Sequence, residues 1–144
     1  MSVDARLAEL GLTLPSASAP AANYVPFVIS GNLVFVSGQL PMSNGALTIK
    51  GLVGAEVSVE QAREAAKLCA LNLLAQVKAA LGGDLSRLKR VVKLTGFVAS
   101  GPDFTQHPEV VNGASDVLVE ILGDAGRHAR AAVGAPSLPR GTPV

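Results

Sequence analysis

Aromatic side chains are scarce in this sequence: four Phe, one Tyr and no Trp among 144 residues. It also holds a single cysteine, Cys69. One thiol excludes an intramolecular disulfide and a metal site built from several cysteines, and it fits a reducing cytoplasm. Neither sign of charge dominates, since 12 Lys and Arg against 11 Asp and Glu leave a net charge of +1. That balance argues against nucleic acid as a partner, because an extended phosphate footprint needs clustered cations. No apolar run approaches the roughly 20 residues that span a bilayer, so no membrane association is expected. The N-terminus, with Asp4, Arg6 and Glu9 in its first turns, has no apolar segment of secretory type. A Walker loop, a nucleotide-binding GxGxxG, a GxSxG elbow and an HExxH pair are missing as well, which removes the commonest phosphate, acyl-transfer and zinc chemistries.

What is present is small and apolar. Ala, Val and Leu supply most of the 49% hydrophobic content. They bury less area per residue than Phe or Trp, so one copy has a modest core, and packing against further copies is one way to bury more. A single domain over residues 1–144 is expected, with residues 1–19 forming a leading helix and connector. Ser2 to Leu10 has helical spacing and stops at Gly11; the Pro- and Ala-rich stretch from Pro15 to Pro26 reads as an ordered connector.

Phe27–Ile29 and Leu33–Ser37 flank Ser30-Gly31-Asn32 and predict a hairpin. A third strand is expected over Ala46–Leu52, after the turn at Ser43-Asn44-Gly45. Ser58-Val59-Glu60-Gln61 is a capping-box pattern. The helix it starts runs to about Leu81, with an apolar stripe of Ala62, Ala66, Cys69, Leu73, Val77 and Ala80 and a stop at Gly82-Gly83. Arg90–Ser100 changes period and reads as a strand. A second long helix begins near Pro108 and buries Val110, Ala114, Val117, Leu118 and Ile121. Ala129–Ala135 is again extended. The order β-β-β-α-β-α-β predicts an α+β fold, a mixed β-sheet packed on two α-helices with its other face uncovered.

Few residues offer chemistry. His107 reads as a cap of the second helix, His128 as a polar residue entering a strand, and Cys69 as a buried thiol. Glu60 and Glu64 have the spacing of a solvated helix face. Arg130, in His128-Ala129-Arg130-Ala131-Ala132-Val133, leaves two alternatives open. One is an exposed edge-strand arginine; the other is a guanidinium with room around it for a carboxylate, which its planar donor fork suits.

Gly31-Asn32-Leu33-Val34-Phe35-Val36-Ser37-Gly38-Gln39-Leu40-Pro41, followed by Arg130-Ala131-Ala132-Val133 and Leu138-Pro139, resembles the reactive-intermediate deaminase (RidA) family, also called L-PSP endoribonuclease-like. Arg6–Gly11 and Pro20–Pro26 resemble a longer bacterial, chorismate-mutase-like branch of it. The resemblance implies a homotrimer with sheets around an inner barrel and ligand clefts between subunits. It implies cofactor-free hydrolysis of 2-imino or enamine acids to 2-oxo acids and ammonia, with no metal. By position, Arg130 matches the arginine that grips the substrate carboxylate and is the catalytic candidate. Tyr24 matches a tyrosine lining the cleft, Ser37 and Gly38 the pocket floor, and Asn112 an asparagine on the second helix. Ala132 stands where archetypes often carry cysteine, and the family's final strand, with a water-positioning glutamate, is expected beyond Val144. Two other functions are weighed beside the deaminase: a non-catalytic trimer binding a small carboxylate metabolite, and a ribonuclease, disfavoured by the balanced charge and by the want of a histidine pair.

Overall fold

Ser2 and Ser58 start the first two helices in the same way, each side chain accepting a hydrogen bond from the amide three residues on. They precede α1 (Val3–Glu9) and α2 (Val59–Ala80) in the computed structural model, which describes residues 1–20 and 22–144. Ala21, in the expected connector, lies outside the described residues. At α2 the capping box is complete, since Gln61 Oε1 accepts from the Ser58 amide at 2.9 Å. α1 stops at Gly11, whose φ of +67° is left-handed.

Two strand pairs follow α1. β1 (Phe27–Ser30) and β2 (Leu33–Val36) form the expected antiparallel hairpin. β3 (Met42–Ser43) and β4 (Ala46–Leu47) close over Asn44 and Gly45, both at positive φ, as a two-residue hairpin turn requires. The third strand predicted over Ala46–Leu52 therefore ends early. Thr48 still donates to Pro41, but Gly51, at φ +127°, turns the chain away.

Beyond α2 come β5 (Lys93–Ala99), α3 (His107–Leu122) and β6 (Ala129–Ala135). β5 and β6 pair in parallel with α3 as the crossover. α3 buries the predicted Val110, Ala114, Val117, Leu118 and Ile121, and Val111 besides. Short 3-10 turns at Leu85–Arg87, Gly123–Gly126 and Pro139–Gly141 complete the chain.

Among the described residues the expected single mixed sheet is instead three two-stranded ladders. The hairpin packs on α2 and the parallel pair on α3, so contact between the two long helices, rather than a continuous ladder, joins the halves. This also corrects the stripe read along α2. Covered from two sides, the helix buries Ala65, Ala70, Leu71, Leu74 and Ala75 as well, whereas Leu73, Val77 and Ala80 are only half-buried. Its buried amides are satisfied: Asn72 Nδ2 donates to the carbonyls of Leu40 and Met42, and Gln76 Nε2 to that of Ser18, which fastens the connector to the helix.

Alternation along β5 turns Leu94 and Val98 inward and leaves Thr95 and Phe97 outward. Gly96 also faces α3, where a Cβ would overlap Val111. On the outward face Phe97 is 51% exposed, and Phe35 of the hairpin is 58% exposed beside its partner Val28. Two of the few aromatic rings thus lie exposed on two separate strand pairs. Among the described residues no helix is long and apolar enough to cross a membrane.

Candidate functional site

Arg130 is the second residue of β6 and registers against Leu94 of β5, which is buried against the helices. Paired residues of a parallel ladder share a face, so the guanidinium starts on the α3 side of the sheet. It meets two residues of α3 that stand one turn apart. Arg130 Nη1 donates to Asn112 Oδ1 at 2.8 Å and to Ser115 Oγ at 3.2 Å. The side chain nonetheless remains exposed. Among the described residues Nε and Nη2 have no partner, so one edge of the fork stays open to a ligand.

Ser115 continues the chain of contacts. Its Oγ lies 2.9 Å from His128 Nε2, and His128 Nδ1 lies 2.5 Å from the Gly126 carbonyl oxygen. His128 sits two residues before Arg130, as the sequence shows, and so projects to the same side of the extended chain. The sequence reading named Arg130 and Asn112 as site candidates, without their contact, and did not include Ser115 or His128. Their only sequence signal is spacing: i+3 from Asn112 on a helix, and i−2 from Arg130 on a strand.

Tyr24, Ser37 and Gly38 gather elsewhere. Ser37 Oγ donates to the Val25 carbonyl at 2.7 Å, and its amide donates to Pro26 at 2.9 Å, which holds the residues after Tyr24 against the end of β2. The Tyr24 ring is exposed, and open space surrounds the position a Cβ would take on Gly38. No hydrogen bond among the described residues joins this group to Arg130. The structure thus brings together Arg130 with Asn112, and Ser37 with the segment after Tyr24.

The other histidine does not act as expected. His107 is the first residue of α3, and Gln106 at the cap position makes no side-chain capping bond. The imidazole turns instead toward β6. It packs edge-on against Phe104 at 5.2 Å between ring centroids, and its Nε2 lies 3.4 Å from Ser100 Oγ. Gly134 makes room, since a Cβ there would stand 2.6 Å from that nitrogen. These residues line a cavity of about 430 Å³ with Leu52 and Pro136. Arg130 lies outside it. Cys69 is buried in α2, and burial pushes its thiol up to about 12, far from the range of a reactive thiolate.

Comparison with known proteins gives one family match, spanning residues 4–142, to the model described as "YjgF/chorismate mutase-like, putative endoribonuclease". The protein TCP17 of Trypanosoma cruzi is 50% identical over 143 residues, 99% of this chain and 89% of that protein. A crystal structure of a protein of unknown function from Agrobacterium tumefaciens is 59% identical, covers 98% of this chain and 86% of that one, and superposes with a TM-score of 0.91. A Shewanella oneidensis protein whose crystal structure also carries the endoribonuclease description is 38% identical, over 99% of this chain and 94% of that one, with a TM-score of 0.95.

Proposed function

The chain belongs to the YjgF/chorismate mutase-like family, and from that membership we propose that it hydrolyses 2-imino or enamine acids to 2-oxo acids and ammonia, without metal or organic cofactor. The observation that carries this reading is the arrangement of Arg130. One of its terminal nitrogens is held by Asn112 and Ser115, and the rest of the fork is open to a carboxylate.

A bound imino acid is already electrophilic at C2. With the carboxylate gripped, water adds to that carbon and a proton reaches the nitrogen. The carbinolamine then collapses: the C–N bond breaks, ammonia departs and the C=O of the 2-oxo acid forms. Nothing in this sequence needs a strong nucleophile, which agrees with a Cys69 thiol that burial keeps protonated.

The cleft in this reading lies between copies of a homotrimer. Two features support it. No hydrogen bond among the described residues links Tyr24 or the Ser37–Gly38 segment to Arg130 within one chain, and in this reading a neighbour's copy of them walls the guanidinium. Phe35 and Phe97 also lie exposed on two separate strand pairs, on faces of the kind that a second copy covers. The single buried thiol fits a cytoplasmic home.

A second reading, binding of a small carboxylate metabolite without turnover, is favoured by one observation. Asn112, Ser115 and His128 are each engaged with protein partners, so the surroundings of Arg130 are recognition machinery. The ribonuclease reading has less support, because His107 and His128 are held by different partners, Ser100 with Phe104 and Ser115 with Gly126.

The test generates 2-imino acids with an amino-acid oxidase and follows their lifetime by trapping with semicarbazide. The chain shortens that lifetime and Arg130→Ala does not. An unchanged imine lifetime together with 2-oxobutyrate binding that depends on Arg130 selects the non-catalytic reading.

A further inference from the structure

Arg130 is exposed, yet Nη1 is fully committed. That nitrogen carries two hydrogens, and it has two acceptors, Asn112 Oδ1 at 2.8 Å and Ser115 Oγ at 3.2 Å. Ser115 accepts from Arg130 while sending its own proton elsewhere, and His128 Nε2 is 2.9 Å away. The direction of that bond is set from the far side of the ring. His128 Nδ1 faces the Gly126 carbonyl oxygen at 2.5 Å, and a carbonyl only accepts. In the neutral ring Nδ1 therefore bears the imidazole proton and Nε2 the lone pair. Gly126 is itself rigidly placed, packed so closely on α3 that a Cβ would stand 2.3 Å from the Leu118 carbonyl oxygen.

We infer that Ser115 and His128 are positioning residues for Arg130: the relay from the Gly126 carbonyl through His128 and Ser115 turns Nη1 inward to α3 and leaves the Nε–Nη2 edge as the one complete fork for a planar carboxylate. The inference rests on the reading of Arg130 as the carboxylate grip and adds how it is aimed. An exposed arginine otherwise samples many rotamers, and ordering it on binding weakens affinity. With Nη1 engaged, the end-on pair of Nη1 and Nη2 is broken, and Nε–H with the parallel Nη2–H is the pair that matches two carboxylate oxygens. Asn112 alone constrains one hydrogen of Nη1; Ser115, oriented by His128, constrains the other.

The test titrates 2-oxobutyrate calorimetrically into the full chain and into Ser115→Ala, Ser115→Thr, His128→Phe, His128→Gln, Arg130→Ala and the Arg130→Ala/Ser115→Ala double variant, with thermal unfolding to report folding. Ser115→Ala and His128→Phe each weaken binding by about five- to ten-fold, the cost of immobilising one flexible side chain on binding. Ser115→Thr keeps the hydroxyl and His128→Gln keeps one donor and one acceptor, and both retain most of the affinity. In the Arg130→Ala background the Ser115 change has no further effect, which a general structural role would not produce. Nitrogen NMR finds His128 in the Nδ1–H form, and the Arg130 Nε–H signal loses order in Ser115→Ala. Should His128→Phe fail to fold, Ser115→Ala carries the same test. Full affinity in Ser115→Ala and His128→Phe beside weak binding in Arg130→Ala overturns the relay and leaves the carboxylate reading standing. Unchanged affinity in Arg130→Ala overturns that reading instead, and the relay then falls if Arg130 Nε–H is equally ordered with and without the Ser115 hydroxyl. An Nε2–H form of His128 overturns the relay in either case.

Discussion

Gly113 of α3 meets the backbone of Arg63 on α2, so closely that a Cβ on Gly113 would stand 2.0 Å from the Arg63 carbonyl oxygen and 2.8 Å from its carbon. This contact sets the approach of the two longest helices, and with it the position from which Asn112 and Ser115 reach Arg130. The glycine is needed for space, since its backbone is ordinary helix.

Gly113→Ala therefore pits two effects against each other. Alanine gains about 1 kcal/mol of helix propensity over glycine. Overpacking against a main-chain carbonyl, which has no rotamer to yield, costs about 3 kcal/mol. The contact wins, and urea denaturation gives a net loss of about 2 kcal/mol. Equal or greater stability in the variant would mean that α2 and α3 separate without cost.

Cys69 gives stability a dependence on alkaline pH. Burial raises its thiol from 9.0 to about 12, so the unfolded chain ionises first as pH rises. The folded state holds the extra proton across that window, and stability falls with increasing pH. The contribution is complete below pH 9 and is lost as pH climbs toward about 12, at up to about 1.4 kcal/mol per pH unit. The difference between wild type and Cys69→Ala in denaturant midpoint isolates this slope from lysine and tyrosine titration. Parallel pH profiles for the two proteins would remove Cys69 as its source.

Much of the framework was legible because periodicity and capping are local. The capping box at Ser58, the stripe from Val110 to Ile121 and the strand Ala129–Ala135 stand where their patterns place them. β3 escaped and β4 was drawn too long, because a two-residue strand has no period to read. The face of α2 was misread because a helix covered on two sides buries more than one stripe. At the site, resemblance named Asn112 and Arg130 separately, and in the structure the two side chains touch. Ser115 and His128 were hidden for a different reason. Their contacts depend on how closely the end of α3 approaches the start of β6, which the tight packing of Gly126 on Leu118 sets across residues far apart in pattern.

Phe35 and Phe97 test the assembly. On the trimer reading, both rings are buried against a neighbouring copy, and a carboxylate placed there would be taken out of water without a partner. Sedimentation finds the wild type as a trimer, and Phe35→Glu or Phe97→Glu as monomer at micromolar concentration with each chain still folded by circular dichroism. A wild-type chain that sediments as a monomer, or glutamate variants that remain trimeric, would take the neighbour away from these rings.

Asn112 separates holding the guanidinium from neutralising it. As an amide it accepts from Nη1 at 2.8 Å without charge, so Arg130 keeps its full positive charge for the ligand. Asn112→Ala removes one constraint and weakens 2-oxobutyrate binding by about five-fold, the cost of ordering the loosened guanidinium when the ligand binds. Asn112→Asp restores the acceptor and holds Arg130 more firmly, yet it sets a fixed carboxylate against the incoming one. Binding by the aspartate variant is therefore weaker than by the alanine variant, by about ten-fold or more at low salt, and the gap narrows as ionic strength shortens the screening length. Were orientation all that mattered, Asn112→Asp would bind at least as well as the wild type at every salt concentration.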